Sequence, residues 1–278
     1  MQKTVEADVL QALNEDIGSG DITGQLISSS VQGVAQLHAR QAALVCGKPW
    51  VNEVLRQVSP ELEITWWVEE GSYQAKPCVW AELKGPLTAM LTAERSALNF
   101  LQTLSAVATK THHYVQCLNG TATKLLDTRK TLPGLRMAQK YAVRCGGGFN
   151  HRIGLYDEYL IKENHIVALG GLETAIEAAL KHSIKKPIVV EVQNIEQFKI
   201  AQSFDVTRIM LDNFTDDMVV QALALNQIQH FPLEVSGNIN EERLKKLAQM
   251  GVDFVSVGDL TKSISAIDLS LLVVSYDI

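Results

Sequence analysis

The chain has 278 residues, 46% of them apolar and 20% charged, with a formal net charge of -6. That composition belongs to a soluble globular protein with room for one large domain or two smaller ones. An acidic balance with few aromatics interleaved among its cations argues against a nucleic-acid binder.

No apolar run is longer than Ala42 to Cys46, far short of the ~20 residues that span a bilayer. The polar, acidic opening lacks the basic start and apolar core of a secretory leader, so a cytoplasmic protein with no membrane partner is expected. Cys46, Cys78, Cys117 and Cys145 are scattered with no CxxC pair. That spacing argues against a zinc site or a disulfide scaffold, and all four read as buried spectator thiols in a reducing compartment.

In chain order, the first third reads as α+β. Residues 31–47 and 61–72 show strand-like alternation or β-rich composition, and 15–24, "EDIGSGDITG", reads as a polar turn. A long helix follows over 92–118, with Thr92 and Arg95 at its start and Leu98, Leu101, Leu104, Val107 and Ala108 at helical spacing. From about residue 121 short apolar strands recur at 123–127, 159–163, 187–192, 208–213, 232–237 and 253–259, with helical segments such as 195–204 and 241–251 between them. Strand alternating with helix implies a parallel sheet, either a barrel or an open doubly wound one. The run 266–274 reads as a strand returning to the N-terminal region. The triple glycine 146–148 follows no strand, so it reads as a helix cap opening a loop and not as a dinucleotide site.

Charge is spread unevenly. Residues 121–165 hold eight Lys or Arg against four Asp or Glu, a balance of +4, while the remainder carries 17 against 27, or -10. A positive patch on a negative chain suits a small polyanion held in a pocket. Arg129, Lys130, His151, Arg152 and Lys162 fall at or after the ends of strands, where α/β proteins gather their active sites. Two arginines with a histidine and a lysine suit a ligand bearing adjacent carboxylates, because guanidinium forks grip carboxylates bidentately. Arg136, Lys140 and Arg144 recur every four residues on a helix and read as a solvated face. Glu191 and Asp212 are strand-end carboxylates suited to Mg²⁺ on a diphosphate, to a cationic sugar transition state, or simply to ion pairs with nearby cations. The small residues Ser236-Gly237-Asn238 and Gly258 let backbone N–H groups approach a phosphate.

Together these residues carry a resemblance. The block 127–166, "DTRKTLPGLRMAQKYAVRCGGGFNHRIGLYDEYLIKENHI", is similar to the quinolinate phosphoribosyltransferases. The similarity extends to "EDIGSGDIT", to "LTAERSALNFLQ" at 91–102, to "EV" at 191–192, to "LDNF" at 211–214 and to the "SG" and "VG" turns. The resemblance implies an α/β fold in which an N-terminal α/β sandwich, residues 1–110 with the returning strand 266–278, packs on an open TIM-like α/β barrel of fewer than eight strands at 111–265. It implies a transferase of NAD biosynthesis that uses quinolinate, phosphoribosyl diphosphate and Mg²⁺. It also implies a homodimer in which Arg95 is donated across the interface to join Arg129, His151, Arg152 and Lys162 around quinolinate.

By the same resemblance Thr128 and Lys130 lie near the reacting groups. Glu191 and Asp212 lie beside the ribose and the Mg²⁺–diphosphate, and Ser236, Gly237, Asn238 and Gly258 lie at the 5′-phosphate. The resemblance makes Lys130, Lys162, Glu191 and Asp212 the catalytic candidates. The chain departs from the family at Asn238, where glycine is usual, at Asp259 and Lys262 in "VGDLTKS", and at Val189, where an acid is common. Rival readings are a paralogue of the same fold with a different activity, an aldolase using Lys162 or Lys130 as a Schiff base, and a non-catalytic sensor of phosphoribosyl compounds.

Overall fold

The computed structural model describes residues 1–182 and 185–277, so the last residue of the strand expected at 266–278 lies outside the described residues. In chain order its elements are α1 (Gln2–Ile17), β1 (Gln32–Ala39), β2 (Ala43–Leu44), α2 (Lys48–Val58), β3 (Glu63–Trp66), β4 (Tyr73–Gln74), β5 (Cys78–Pro86), α3 (Leu87–Gln116), β6 (Lys124–Leu126), α4 (Arg136–Cys145), β7 (Tyr159–Ile161), α5 (Glu163–Ala168) and α6 (Leu172–His182). They continue with β8 (Ile188–Val192), α7 (Ile195–Gln202), β9 (Arg208–Asp212), α8 (Asp216–Leu225), β10 (Leu233–Ser236), α9 (Glu241–Met250), β11 (Phe254–Ser256), α10 (Asp259–Lys262) and β12 (Leu269–Asp277). Two compact units share them. The first comprises Met1–His112, Leu132–Gly147 and Leu260–Ile278; the second comprises His113–Thr131 and Gly148–Asp259.

The first unit is built on a four-stranded sheet in the order β12-β1-β5-β3, in which β1 pairs antiparallel with both β5 and β12. Residues along β1 alternate strictly between buried and more exposed, the pattern of an antiparallel strand with one covered face. The long helix begins at Leu87, directly after Pro86, and not at the expected 92. Nothing between Leu87 and Thr92 breaks a helix, so Thr92 and Arg95 lie within it; the Thr92 hydroxyl donates to Asp21 Oδ2 at 2.8 Å. Buried hydroxyls on α3 stand in for missing ladder partners: Thr109 accepts from the backbone of Leu44, and Ser105 both accepts from and donates to that of Cys46. Tryptophans 50 and 80 are fully buried in this unit.

Two sequence expectations change in this unit. Lys140 is 1% exposed, so the stripe Arg136–Lys140–Arg144 is not a solvated face; only Arg144 is exposed and Arg136 is half-buried. The helix turns this side inward because its neighbour Gln139 bonds Leu132 N and Thr261 O. Gly146 follows α4 with ordinary helical φ, and Gly147 takes the left-handed φ of +89°. The reason for glycine at 146 is close approach to α3: a Cβ there would lie 2.5 Å from Ala108 O and 2.6 Å from Thr111 Cβ.

The second unit is a parallel six-stranded sheet in the order β6-β11-β10-β9-β8-β7. Its end strands β6 and β7 do not pair with each other, so it is an open barrel of fewer than eight strands, as the sequence implied. The edge of β6 is taken up by Phe149, which exchanges backbone hydrogen bonds with Leu125 and Asp127. Every residue of β8 is buried, which is how a central parallel strand covered on both faces reads. Helices α7, α8 and α9 begin at Asn194, Thr215 and Asn240, whose side chains each accept from a backbone N–H three residues on. Among the described residues, no helix is long and apolar enough to cross a membrane.

Gly146→Ala is expected to cost about 1–3 kcal/mol of stability by forcing α4 away from α3. A lowered urea midpoint with an unchanged slope is the readout.

Candidate active site

Six parallel strands run in one direction, so their carboxyl ends share one side of the sheet. Ser236, at the end of β10, donates through its hydroxyl to Asp212 Oδ1, at the end of β9, at 2.6 Å. One residue past β7, the Lys162 ammonium lies 2.7 Å from Glu191 Oε2 on β8. Thr128 Oγ1, after β6, accepts from Lys130 N at 3.0 Å. A Cβ on Gly258, after the adjoining β11, would lie 2.9 Å from the Lys130 side chain. The sequence-predicted residues Thr128, Lys130, Lys162, Glu191, Asp212, Ser236, Gly237, Asn238 and Gly258 thus meet at the sheet's carboxyl edge.

Arg129 and Arg152 join them from the loops after β6 and before β7. Burial holds the Arg152 guanidinium below its ordinary value, and the nearby Arg129 pushes the same way, against Glu158, Asp157 and Glu191. Asp157 braces the loop after Arg152 by accepting from the backbone of Ile153 and Gly154. Arg95 is on α3 of the first unit, exposed and 3.6 Å from Glu94.

His151 is buried, and its ring faces protein groups on both sides. Its Nδ1 accepts from Arg152 N at 2.7 Å, and its Nε2 lies 3.4 Å from Glu234 Oε2. Beneath it lies a charge network the sequence reading missed. Arg208 reaches Glu158 at 3.2 Å and Glu234 at 3.0 Å, and Glu158 lies 3.5 Å from His151. Burial raises the Glu158 carboxyl despite Arg208 and His151. Burial also pushes Glu234 up, but His151, Arg208 and Ser256 outweigh it and hold that carboxyl below its ordinary value. The fully buried Asp127 carboxylate accepts from His151 N at 2.8 Å, fixing the loop to the end of β6.

The turns after β9 and β10 are braced too. Arg243 donates to Gly237 O at 2.8 Å and to Phe214 O, tying the loops after β9 and β10 together. Gly237 has φ +93°, and a Cβ on it would strike Asn213 Oδ1 at 2.1 Å. Asn238 stands where glycine is usual in the family, yet it holds φ +52°, a left-handed conformation that asparagine tolerates better than other side chains.

The donor set fits a magnesium ion only in a particular way. Glu191 and Asp212 offer hard carboxylate oxygens, each already bonded to a neighbour. Two occupied carboxylates do not form an all-protein cage, but they suit Mg²⁺ that takes its other ligands from water and substrate phosphates.

Residues 107–272 match the family described as quinolinate phosphoribosyl transferase, C-terminal domain, and residues 21–105 match its N-terminal domain. A probable carboxylating nicotinate-nucleotide pyrophosphorylase of Bacillus subtilis is 38% identical over 92% of this chain and 89% of its own length. A Synechocystis protein of the same description is 37% identical over 95% and 90%. The solved nicotinate-nucleotide pyrophosphorylase of Francisella tularensis superposes with a TM-score of 0.93 at 45% identity, covering 98% of this chain and 97% of its own.

Because Glu234 is held below its ordinary value, the stability it contributes is present above the unfolded-state value and lost as pH falls through the folded one. Glu234→Gln is expected to cost on the order of 3 kcal/mol at neutral pH. The gap from the parent should narrow below about pH 4, as followed by urea unfolding across pH.

Proposed function

Since this chain belongs to the quinolinate phosphoribosyltransferase family, we propose that the carboxyl edge of its six-stranded sheet is where it carries out the family's reaction. That reaction joins quinolinate to phosphoribosyl diphosphate and gives nicotinate mononucleotide, diphosphate and CO₂, a step of NAD biosynthesis. The observation that carries the placement is the gathering of Lys162 with Glu191, Ser236 with Asp212, and Lys130 with Gly258 at the strand ends, with Arg129 and Arg152 on the adjoining loops.

The arginines grip the two carboxylates and aim the pyridine nitrogen at the ribose C1, replacing a bimolecular encounter by a fixed approach. His151 positions this grip: its ring accepts from Arg152 N and is flanked by the Glu234–Arg208–Glu158 network beneath. Glu191 and Asp212 face the sugar, where negative charge favours the cationic character that develops at C1 as diphosphate leaves. Bound Mg²⁺ would neutralise the departing diphosphate, with Asp212 and Glu191 as its carboxylate contacts. Ser236, Gly237, Asn238 and Gly258 offer the close backbone approach a 5′-phosphate needs, with Thr128 and Lys130 alongside.

Once the nitrogen is alkylated the ring is a pyridinium, its own electron sink, so the adjacent carboxylate departs without a further cofactor. Lys162, fixed by Glu191, is the proton source for the ring carbanion that remains; Lys130 stays with the phosphate side. A Schiff-base role for Lys162 would leave the cations Arg129 and Arg152 at the strand ends without a purpose. The free cysteines agree with a cytoplasmic setting.

We assign Arg95 to the partner's site in a homodimer, since it is an exposed cation in the family's motif, paired only loosely to Glu94. Incubating the protein with quinolinate, phosphoribosyl diphosphate and Mg²⁺ should yield nicotinate mononucleotide by chromatography, with none from nicotinate. No product from quinolinate in a folded protein would sink the reading. Arg129→Ala should lower kcat/KM for quinolinate by at least about 100-fold, the loss of a charge-assisted bidentate contact. Arg95→Ala and Lys162→Ala should each be inactive alone. Mixed and allowed to reassort, they should recover about one quarter of parental activity if sites are shared across a twofold interface; no recovery would show that each chain completes its own site.

A further inference from the structure

Cys46 and Cys145 come from distant parts of the sequence yet meet in the first unit, together with Glu70. One donor atom from each, the two Sγ atoms and a carboxylate oxygen, lies within 4.8 Å of the others. Of the four thiols only Cys46 is buried; Cys145, like Cys78 and Cys117, is half-buried, which corrects the expectation of four buried spectators.

The three donors are held by structure independent of any ion. Cys46 precedes α2, and its backbone is fixed on both sides by the buried Ser105 hydroxyl. Cys145 is the last residue of α4, and the close seat of Gly146 against α3 fixes its height. Glu70 accepts from Gly47 N at 2.8 Å, from Lys48 N at 3.1 Å and from the Tyr141 hydroxyl at 2.9 Å. Its Oε2 takes only one of these bonds, which leaves acceptor capacity for a cation.

We propose that Cys46, Cys145 and Glu70 form a binding site for a thiophilic divalent cation of the zinc class, with water in the fourth position. Zn–S bonds of about 2.3 Å place tetrahedral sulfurs about 3.7 Å apart, so shifts of about 1 Å or less close the observed triangle on an ion. Two soft sulfurs with one carboxylate select Zn²⁺ or Cd²⁺ over Mg²⁺ or Ca²⁺, which take oxygen ligands. Binding converts two thiols to thiolates and releases two protons, giving a site of net charge -1. The Cys145 thiol already lies below its ordinary value, chiefly because Cys46 hydrogen-bonds to it, with Tyr141 adding to the effect. Burial pushes the Cys46 thiol the other way. This proposal does not rest on the phosphoribosyl transfer.

The test titrates the reduced, metal-stripped full-length protein with Cd²⁺ under argon, following sulfur-to-cadmium charge-transfer absorption, with Zn²⁺ as competitor. The expected result is saturation at about one ion per chain, release of about two protons per ion and a melting temperature that rises with Zn²⁺. The band should vanish in Cys145→Ser and in Cys46→Ala, and persist in the Cys78→Ser/Cys117→Ser double variant. Glu70→Gln should weaken Cd²⁺ by about tenfold or more; if it unfolds because α2 loses its cap, the cysteine variants decide alone. Absence of the band, or a band that survives Cys145→Ser, overturns the proposal. Loss of two thiols to peroxide without any Cd²⁺ binding also overturns it, making the pair a redox couple instead.

Discussion

The pairing of β6 with β11 is the constraint on which the candidate site depends. It is parallel and in register from Lys124 opposite Phe254 to Ser256 opposite Leu126, and it lays the unit's first strand beside its last. Only that arrangement brings the loop 127–130 against Gly258, where a methyl group would already crowd the Lys130 side chain. The cations of one loop and the small residues of another therefore reach the same edge although more than half of the second unit separates them in sequence. A register slip of one residue would turn Leu125 outward and carry Asp127 away from the backbone N–H of His151 that it holds.

Around that edge the protein holds positive charge both inside the sheet and on the loops at its end. Arg208 is spent on Glu158 and Glu234 inside the sheet, where an unpaired guanidinium would be prohibitive. Arg129 and Arg152 instead lie on the loops at the strand ends, where burial and Arg129 together lower the Arg152 guanidinium against Glu158, Asp157 and Glu191. A site preorganised in this way needs little rearrangement when the anion arrives.

Much of this was legible in the sequence, and the parts that were not share a cause. Alternating apolar strands and helices announced the parallel sheet, because burial on both faces requires runs such as Ile188 to Val190. Arg129, Lys162 and Asp212 stood out because they interrupt such runs at strand ends. Glu234 and Arg208 did not, since a charge within a strand reads as a solvent-facing position until the neighbouring strands are known. Lys140 misled for the same reason on a helix: its four-residue spacing with Arg136 and Arg144 fits an exposed stripe, and only the contact of Gln139 with Thr261 shows that side turned inward. Arg243 could be placed only once the loops after β9 and β10 were known to be adjacent. The meeting of Cys46 with Cys145 escaped for want of any local motif, since proximity between remote residues is a property of the fold.

The order of strands in the first unit bears on how the chain folds as it is made. β1 is translated near the start, whereas its antiparallel partner β12 emerges more than two hundred residues later. Until then β1 presents an unpaired edge on a sheet already closed on its other side by β5. The second unit, whose sheet uses only residues 124–256, has all its strands before that edge is covered. Nascent chains are therefore exposed to edge-to-edge association for most of their synthesis, and the late arrival of β12 makes this a slow, high-contact-order step for which a chaperone that shields strand edges would have the greatest effect.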